Sequence, residues 1–443
     1  FMEVVEPSNF MPLDSSLEDS SSNSSKPISI AAIDIGTNST HLLIASINPL
    51  LRTFSIQIAE KSTTRLGDLD PDSGELTEQA MERVLEALKQ FKQLAISYKV
   101  KQIVTAATSA VREAPNGREF LFKIKDYLDI DVDLISGAEE ARLIYLGVLS
   151  GISFGKKPHI ILDIGGGSTE LILADENDAR ALTSTKIGAV RLQRDFIKTE
   201  PIPSQRLDFL RTFIQGSLEP AVEKISRRIK ATEMPVLIAT SGTAMAIGTL
   251  VANEEGNSSL KLQGYKLTRK QVCRLLERLL SLDPAERRKI PSLNERRSEI
   301  IVPGALILEA SMRMLKVESL LLSERALREG LIVDWMLRNG FLEDRFSYQG
   351  SIRKRTVIHQ ADRFSVDIQR AEYVARIALD FYYYTKGILH NDSGIGRDLL
   401  WAAAMLHSCG KHINLSSYHK HSWYLIRHGE LLAYSHSEQL MVA

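Results

Sequence analysis

Two stretches of this chain share one plan: an apolar run ending in Asp, a turn of Gly and hydroxyl residues, and a second apolar run. The first is IAAIDIGTNSTHLLIASI at 30–47 and the second HIILDIGGGSTELILADE at 159–176. Asp34 and Asp163 lie 129 residues apart, and similar elements follow each of them. A strand-turn-strand unit repeated at domain spacing commits the chain to two similar lobes. The length agrees, since 443 residues exceed a single core and fit two or three domains.

In the first copy, strands are expected at 28–35, 40–47 and 52–59. Met81, Val84, Leu85, Leu88, Phe91, Leu94 and Ala95 then mark one helical face, with Thr77 as its N-cap. A strand KQIVTAA, a helix GREFLFKIKDYL, a strand DVDLIS and a helix AEEARLIYLGVL complete a βββαβαβα order. That order belongs to the α/β class, with a mixed sheet whose parallel part is covered by helices. The second copy adds a third strand, RALTSTKI, and a strand-turn-helix, PVLIATSGTAMAIGTLV, and is then mostly helical to about 340 apart from a short strand VESLLLS. Residues 341–443 read as all-helical, and eight of the ten His fall after residue 350. The domains are therefore set at 28–145 and 146–335 for the lobes and 336–443 for a helical unit, which ends in mid-pattern at SEQLMVA and is expected to break off there. Residues 1–27, rich in Ser, Asn and acids, are expected to be a disordered tail.

Composition narrows the partners. The formal net charge is zero, so whole-molecule attraction of nucleic acid is not expected and any anion site must be built locally. No apolar run approaches the ~18 residues of a membrane helix, so no membrane partner is expected. Two cysteines and no signal-peptide pattern point to a cytoplasmic protein.

In the first turn, Gly36 permits the backbone of a short hairpin, and Thr37, Asn38 and Ser39 place hydroxyl and amide groups beside bare N–H groups. Asp34 alone would repel a phosphate, so its presence argues for a divalent cation, Mg²⁺, between them. The alternative for one copy is a hairpin whose Asp caps its own turn. The second copy weighs against that alternative. Gly165, Gly166 and Gly167 weaken a strand end unless something approaches the backbone closely, and Ser168 and Thr169 follow them. Glu170 lies seven residues after Asp163, so a hairpin brings it back toward the same cation. Two such turns facing each other would clamp a polyphosphate.

These hairpins resemble those of the acetate and sugar kinase, heat-shock chaperone and actin superfamily, which implies ribonuclease H-like lobes. The stretches TAATSAVREAPNG at 105–117, SGAEEARLIYLGVL at 136–149, IGAVRL at 187–192, ATSGTA at 239–244 and ALREGLI at 326–332 extend the resemblance. With both hairpins they are similar, in order, to the exopolyphosphatase and guanosine pentaphosphate phosphatase family.

The resemblance implies that Glu140 activates the attacking water, that Arg112 holds the phosphate chain, and that the protein is a homodimer. It also implies an HD-like helical domain for the third unit. There LLWAAAMLHSCGKHI carries Ser408 where the metal-bridging Asp of the HD signature belongs, so the metal site is not expected. From the residues alone, Glu139 and Glu140 open a helix and point about 100° apart, so one of them at most faces a cleft. Acids at a helix start also simply complement its dipole. The expected activity is Mg²⁺-dependent release of terminal orthophosphate from inorganic polyphosphate. Its rivals are hydrolysis of guanosine pentaphosphate, an ATP-dependent sugar or acetate kinase, and a non-catalytic polyphosphate or nucleotide sensor.

Overall fold

A computed structural model describes residues 26–155, 157–176, 179–257, 261–342, 352–391, 395–429, 431, 434 and 436–443. Except for Lys26 and Pro27, the expected disordered tail lies outside the described residues. The first lobe comprises β1 (Ile28–Ile35), β2 (Thr40–Asn48), β3 (Thr53–Ser62), α1 (Glu78–Ser97), β4 (Gln102–Ala107), α2 (Ser109–Glu113), α3 (Gly117–Leu128), β5 (Asp133–Leu134) and α4 (Gly137–Leu149). Its sheet runs β3-β2-β1-β4-β5, antiparallel among the first three strands and parallel from β1 to β5. The order is the expected one with the short α2 added. Strand β5 is shorter than the expected 131–136 because Ser136 accepts the Glu139 N–H as the N-cap of α4 and draws the chain off the sheet.

The second lobe comprises β6 (His159–Ile164), β7 (Thr169–Ala174), β8 (Ala179–Thr185), α5 (Ala189–Phe196), α6 (Ser204–Ser226), β9 (Val236–Thr240), α7 (Ser241–Glu254), β10 (Lys266–Thr268), α8 (Arg269–Ser281), α9 (Pro284–Arg288), α10 (Glu295–Met314), β11 (Ser319–Leu322) and α11 (Leu327–Arg338). Strands β8-β7-β6-β9-β11 repeat the order and directions of the first sheet, and β10 adds an antiparallel edge. The duplication read from two turns is therefore a duplication of the sheet. Among the described residues from 352 onward the elements are helices: α12 (Ile352–Arg363), α13 (Ile368–Thr385), α14 (Ile395–Leu406), α15 (Tyr418–His428) and α16 (His436–Val442), with a short 3₁₀ turn at Cys409–His412.

Alternation along the buried strands divides the core into layers. Ala31, Ile33 and Ile35 of β1 pack with Val84, Leu88 and Phe120 on one face. Ile30 and Ala32 face the other way, toward Ile144 and Val148 of α4 and Ile332 and Met336 of α11. Ile161, Ile172 and Ile238 of the second sheet join that same cluster. Helices α4 and α11 thus fill the space between the two sheets.

Their crossing is unusually close. A Cβ at Gly147 would lie 1.8 Å from the Ala326 carbonyl oxygen, and one at Gly330 would lie 1.8 Å from the Leu143 carbonyl oxygen. Arg142 of α4 ties the crossing to Asp334 of α11 at 2.6 Å. Because Glu140 stands in the first turn of α4 and Arg328 in the first turn of α11, this contact sets where both side chains emerge. Gly330→Ala forces its new Cβ against the Leu143 backbone, and thermal or urea unfolding is expected to show a loss of about 1–3 kcal/mol, whereas Gly216→Ala, in open space inside α6, is expected to gain up to about 1 kcal/mol from helix propensity.

Candidate active site

The two Asp-bearing hairpins meet between the lobes. In each, the first Gly N–H donates to the Ser three residues on: Gly36 to the Ser39 carbonyl at 3.1 Å and Gly165 to the Ser168 carbonyl at 2.9 Å. Thr37 of the first hairpin lies against the second, such that a Cβ at Gly166 would sit 2.9 Å from Thr37 Cβ and one at Gly167 2.2 Å from Ser109 Oγ. The close approach that the glycine run required is thus partly the other hairpin. Thr37 Oγ1 and Ser109 Oγ, 2.9 Å apart, complete the seam.

The hairpin carbonyls are held from behind. Gly165 O accepts from Ala189 N–H, and Gly166 O from the N–H groups of Val190 and Arg191, each at 3.0 Å. On the first hairpin, Thr37 O accepts from Gly67 N–H at 2.8 Å and Asn38 O from Arg65 N–H at 2.9 Å. A trans peptide points its N–H opposite its C=O. The N–H groups of Asn38, Ser39, Gly166 and Gly167 therefore point away from those donors, on residues that line the cavity between the lobes. Successive inward N–H groups make an anion-binding concavity, built here once per lobe.

That cavity, of about 240 Å³, is lined by charges of both signs. Asp34, Asp163 and Glu140 are its carboxylates. Burial pushes Asp34 up to about 7, against the pull of Arg328, and Asp163 up to about 6, against the Ser241 hydroxyl. Burial likewise raises Glu140 to about 8, with the Arg112 guanidinium opposing the shift and Asp34 and Asp163 adding to it. The Oδ1 atom of Asp34 is buried without a hydrogen-bond partner among the described residues. Lys61, Arg297 and Arg328 are its cations, and His41, the cross-strand partner of Asp34, lines it too. Burial first, and then Arg297 and Arg328, bring Lys61 down to about 8. The same burial and the three cations hold His41 neutral, at about 3.

Most of the sequence-predicted residues converge on this cavity: Asp34, Gly36, Thr37, Asn38, Ser39, Glu140, Asp163, Gly165, Gly166, Gly167 and Ser168 all line it. Three do not. Glu170 pairs with Asp163 across the β6–β7 ladder and its carboxylate accepts the Ser184 hydroxyl at 2.7 Å, where burial first, and then Glu140 and Asp163, push it well above the ordinary range. Thr169 gives its hydroxyl to the Ile187 carbonyl at 2.7 Å. Arg112 donates to the Ile135 carbonyl at 2.7 Å and to Glu140 at 3.2 Å, so it meets the carboxylate and not the cavity. Glu139 turns away to Arg142, at 2.7 Å, leaving Glu140 as the one that faces inward.

The residues that sequence reasoning missed are chiefly the cations and the turn Ser241–Thr243. Arg328 stood inside the quoted ALREGLI motif, and Ser241 to Thr243 inside ATSGTA. Lys61 and Arg297 carried no local signal.

The donors fit a hard cation. Mg²⁺ takes oxygen ligands and often only one or two carboxylates beside substrate phosphates. Asp34 and Asp163 supply two buried carboxylates, one with an orphaned oxygen. Among the described residues no three His, Cys, Asp or Glu side chains gather as a preformed metal group, so the expected triad with Glu170 is not assembled.

Comparisons with known proteins agree with this geometry. Residues 43–339 match the model of the Ppx/GppA phosphatase family, and residues 352–443 match domain III of Ppx/GppA phosphatase. The chain is 30% identical over 413 residues to a guanosine-5'-triphosphate,3'-diphosphate pyrophosphatase of Photobacterium profundum, an alignment covering 93% of this chain and 78% of that one. An exopolyphosphatase from Cytophaga hutchinsonii superposes with a TM-score of 0.65 at 28% identity, covering 70% of this chain and 98% of the other. A Ppx/GppA family member from Aquifex aeolicus gives 0.60 at 28% identity, over 71% and 99%.

The raised carboxyls make a sign prediction. Groups whose pKa values rise from 3.8 or 4.5 in the unfolded chain to about 6–8 when folded make the folded state bind more protons. Their contribution to stability therefore falls as pH rises between about 4 and 8. A cation at Asp34 and Asp163 relieves that cost, so added Mg²⁺ is expected to raise the melting temperature more at about pH 8 than at about pH 5. An equal rise at both values would separate the cation from these carboxylates.

Proposed function

This chain belongs to the Ppx/GppA phosphatase family, a family of hydrolases of phosphoanhydride bonds, and on that premise we propose that it removes terminal orthophosphate from inorganic polyphosphate. The observation that carries the reading is the position of Glu140, a buried carboxylate facing the paired phosphate hairpins from the first turn of α4.

The terminal phosphoryl group lies between the hairpins, where N–H groups of residues 38–39 and 166–167 and the hydroxyls of Ser39 and Ser168 meet its oxygens. Asp34 and Asp163 would hold Mg²⁺ there, which supplies positive charge to the phosphate oxygens. Glu140, in its ionised form, accepts a proton from a water molecule. The water oxygen bonds to the terminal phosphorus, and the bridging P–O bond breaks with its electron pair left on the shortened chain. Phosphoryl transfer of this kind needs little beyond positioning and charge stabilisation. Arg112 keeps Glu140 ionised more than burial alone would allow. Lys61, Arg297 and Arg328 receive the next phosphates and the charge that develops on the leaving oxygen.

Polyphosphate is favoured over guanosine pentaphosphate by the cavity lining, which offers three cations and, among the described residues, no Phe, Tyr or Trp to stack a base. The nucleotide remains the second reading, because the Photobacterium profundum relative carries that name. For residues 352–443 we propose an HD-like helical domain without the HD metal site, and for the whole a cytoplasmic homodimer.

Glu140→Gln is expected to lower phosphate release by about 10²–10⁴ while retaining polyphosphate binding. Turnover near that of the unaltered protein would overturn the assignment. Parallel assays on long polyphosphate and on guanosine pentaphosphate decide the substrate, and the expected preference is for polyphosphate.

A further inference from the structure

One peptide of the clamp depends on a side chain. The carbonyls of Thr37, Asn38, Gly165 and Gly166 are all held by backbone N–H groups, which side-chain substitution leaves in place. The Gly167 carbonyl is held instead by the Nε–H of Arg191, at 3.0 Å. That peptide is the one whose other end is the Ser168 N–H, so the direction of this donor follows from where Arg191 sits. Arg191 in turn is fixed from the opposite lobe, since its Nη2 donates to Glu113 of α2 at 2.6 Å. The Glu113 Oε1 atom is buried with no hydrogen-bond partner among the described residues, leaving Arg191 as the close cation at the other oxygen, with Lys186 at 4.0 Å.

A guanidinium can serve both acceptors because its N–H groups are spread in a rigid plane. Nε reaches the carbonyl while Nη2 reaches the carboxylate. The same helix start supplies the backbone N–H groups of residues 189–191 to Gly165 and Gly166, so a shift of α5 relative to α2 moves the whole second hairpin. Glu113 and Arg191 do not line the cavity that holds the carboxylates; with Gly67 and Arg194 they line an adjoining cleft that shares Thr37, Ser109 and Gly167 with it. Arg194 spans the same seam by donating to the Gly67 carbonyl at 3.3 Å.

We infer that Arg191 is a positioning residue that couples closure of the two lobes to the orientation of the Ser168 N–H on the substrate's terminal phosphate. The inference rests on the hydrolase reading above and adds a residue to it. With the lobes together, Glu113 holds Arg191, Arg191 holds the Gly167 carbonyl, and the last donor of the second hairpin faces the phosphate. With the lobes apart, Arg191 loses Glu113, and the guanidinium that holds the Gly167 carbonyl is no longer fixed, while the neighbouring carbonyls keep their backbone donors.

The decisive variant is Arg191→Lys, because an ammonium retains the ion pair to Glu113 but cannot also reach the carbonyl in the same geometry. It is expected to lower kcat about tenfold or more, short of the ~10²–10³ seen when a preorganised donor is removed outright, with KM changed far less. The melting temperature should stay close to that of the unaltered protein. Glu113→Gln, whose amide oxygen still accepts from Arg191, is expected to retain most of the activity that Glu113→Ala loses. A normal kcat in Arg191→Lys would reduce the residue to a simple latch, and a fall in kcat matched by a fall in melting temperature across all variants would reduce it to a structural role. Either result overturns the inference.

Orthophosphate titrated calorimetrically reads the same donor without turnover. Its affinity should weaken severalfold in Arg191→Lys, and an unchanged affinity contradicts the inference. An unaltered protein that binds orthophosphate but releases none from polyphosphate or guanosine pentaphosphate would instead contradict the hydrolase reading.

Discussion

Everything at the site depends on how near the two hairpins can come. Thr37 of one lobe rests where side chains at Gly166 and Gly167 of the other would have to be. A single Cβ there would push the lobes apart, and with them the two sets of inward N–H groups. The approach gathers Asp34, Asp163 and Glu140 into one small cavity, where burial raises all three carboxyls. Such an arrangement is costly for the folded chain alone. It becomes favourable when a cation and a phosphate occupy the space, which is a general way for a binding site to draw on fold stability.

The rest of the scaffold serves this approach. Helices α4 and α11 lie between the sheets and cross with almost no side chain at the contact, so Glu140 and Arg328 emerge on the same cavity from different lobes. Further ties across the seam reinforce it, with Arg296 donating to the Thr63 carbonyl at 2.7 Å and Arg65 meeting Glu299 at 3.3 Å. The cavity carries both signs of charge, the carboxylates of Asp34, Asp163 and Glu140 and the cations Lys61, Arg297 and Arg328. A zero net charge for the molecule is compatible with this, because the field that matters is local.

Much of this was legible in the sequence, for identifiable reasons. The hairpins announced themselves through glycine, whose use at a strand end needs a cause, and through repetition, which no single turn could supply. Thr77 caps α1 as its spacing predicted. Helix geometry allowed only one of Glu139 and Glu140 to face a cleft, the family resemblance pointed to Glu140, and Glu139 turns instead to Arg142. What remained hidden was convergence from distant parts of the chain. Lys61 ends β3, Arg297 opens α10 and Arg328 opens α11, and nothing near any of them in sequence marks a shared destination. Arg112 and Glu170 lie on the elements expected for them, next to the cavity rather than on its lining. Each is held by a neighbour, Arg112 by its acceptor Glu140 and Glu170 by the donor Ser184, which the sequence alone does not reveal.

The central claim is that one phosphoryl group is gripped by backbone N–H groups of both lobes with Glu140 opposite the bond to be cleaved. A crystal structure of the Glu140→Gln protein with Mg²⁺ and a short polyphosphate tests it most directly. The terminal phosphorus is expected between residues 38–39 and 166–168, the cation on Asp34 and Asp163, and the amide introduced at position 140 on the face opposite the bridging oxygen. A chain whose terminal phosphate contacts only one hairpin, or lies among Lys61, Arg297 and Arg328 with its interior toward that amide, would contradict it.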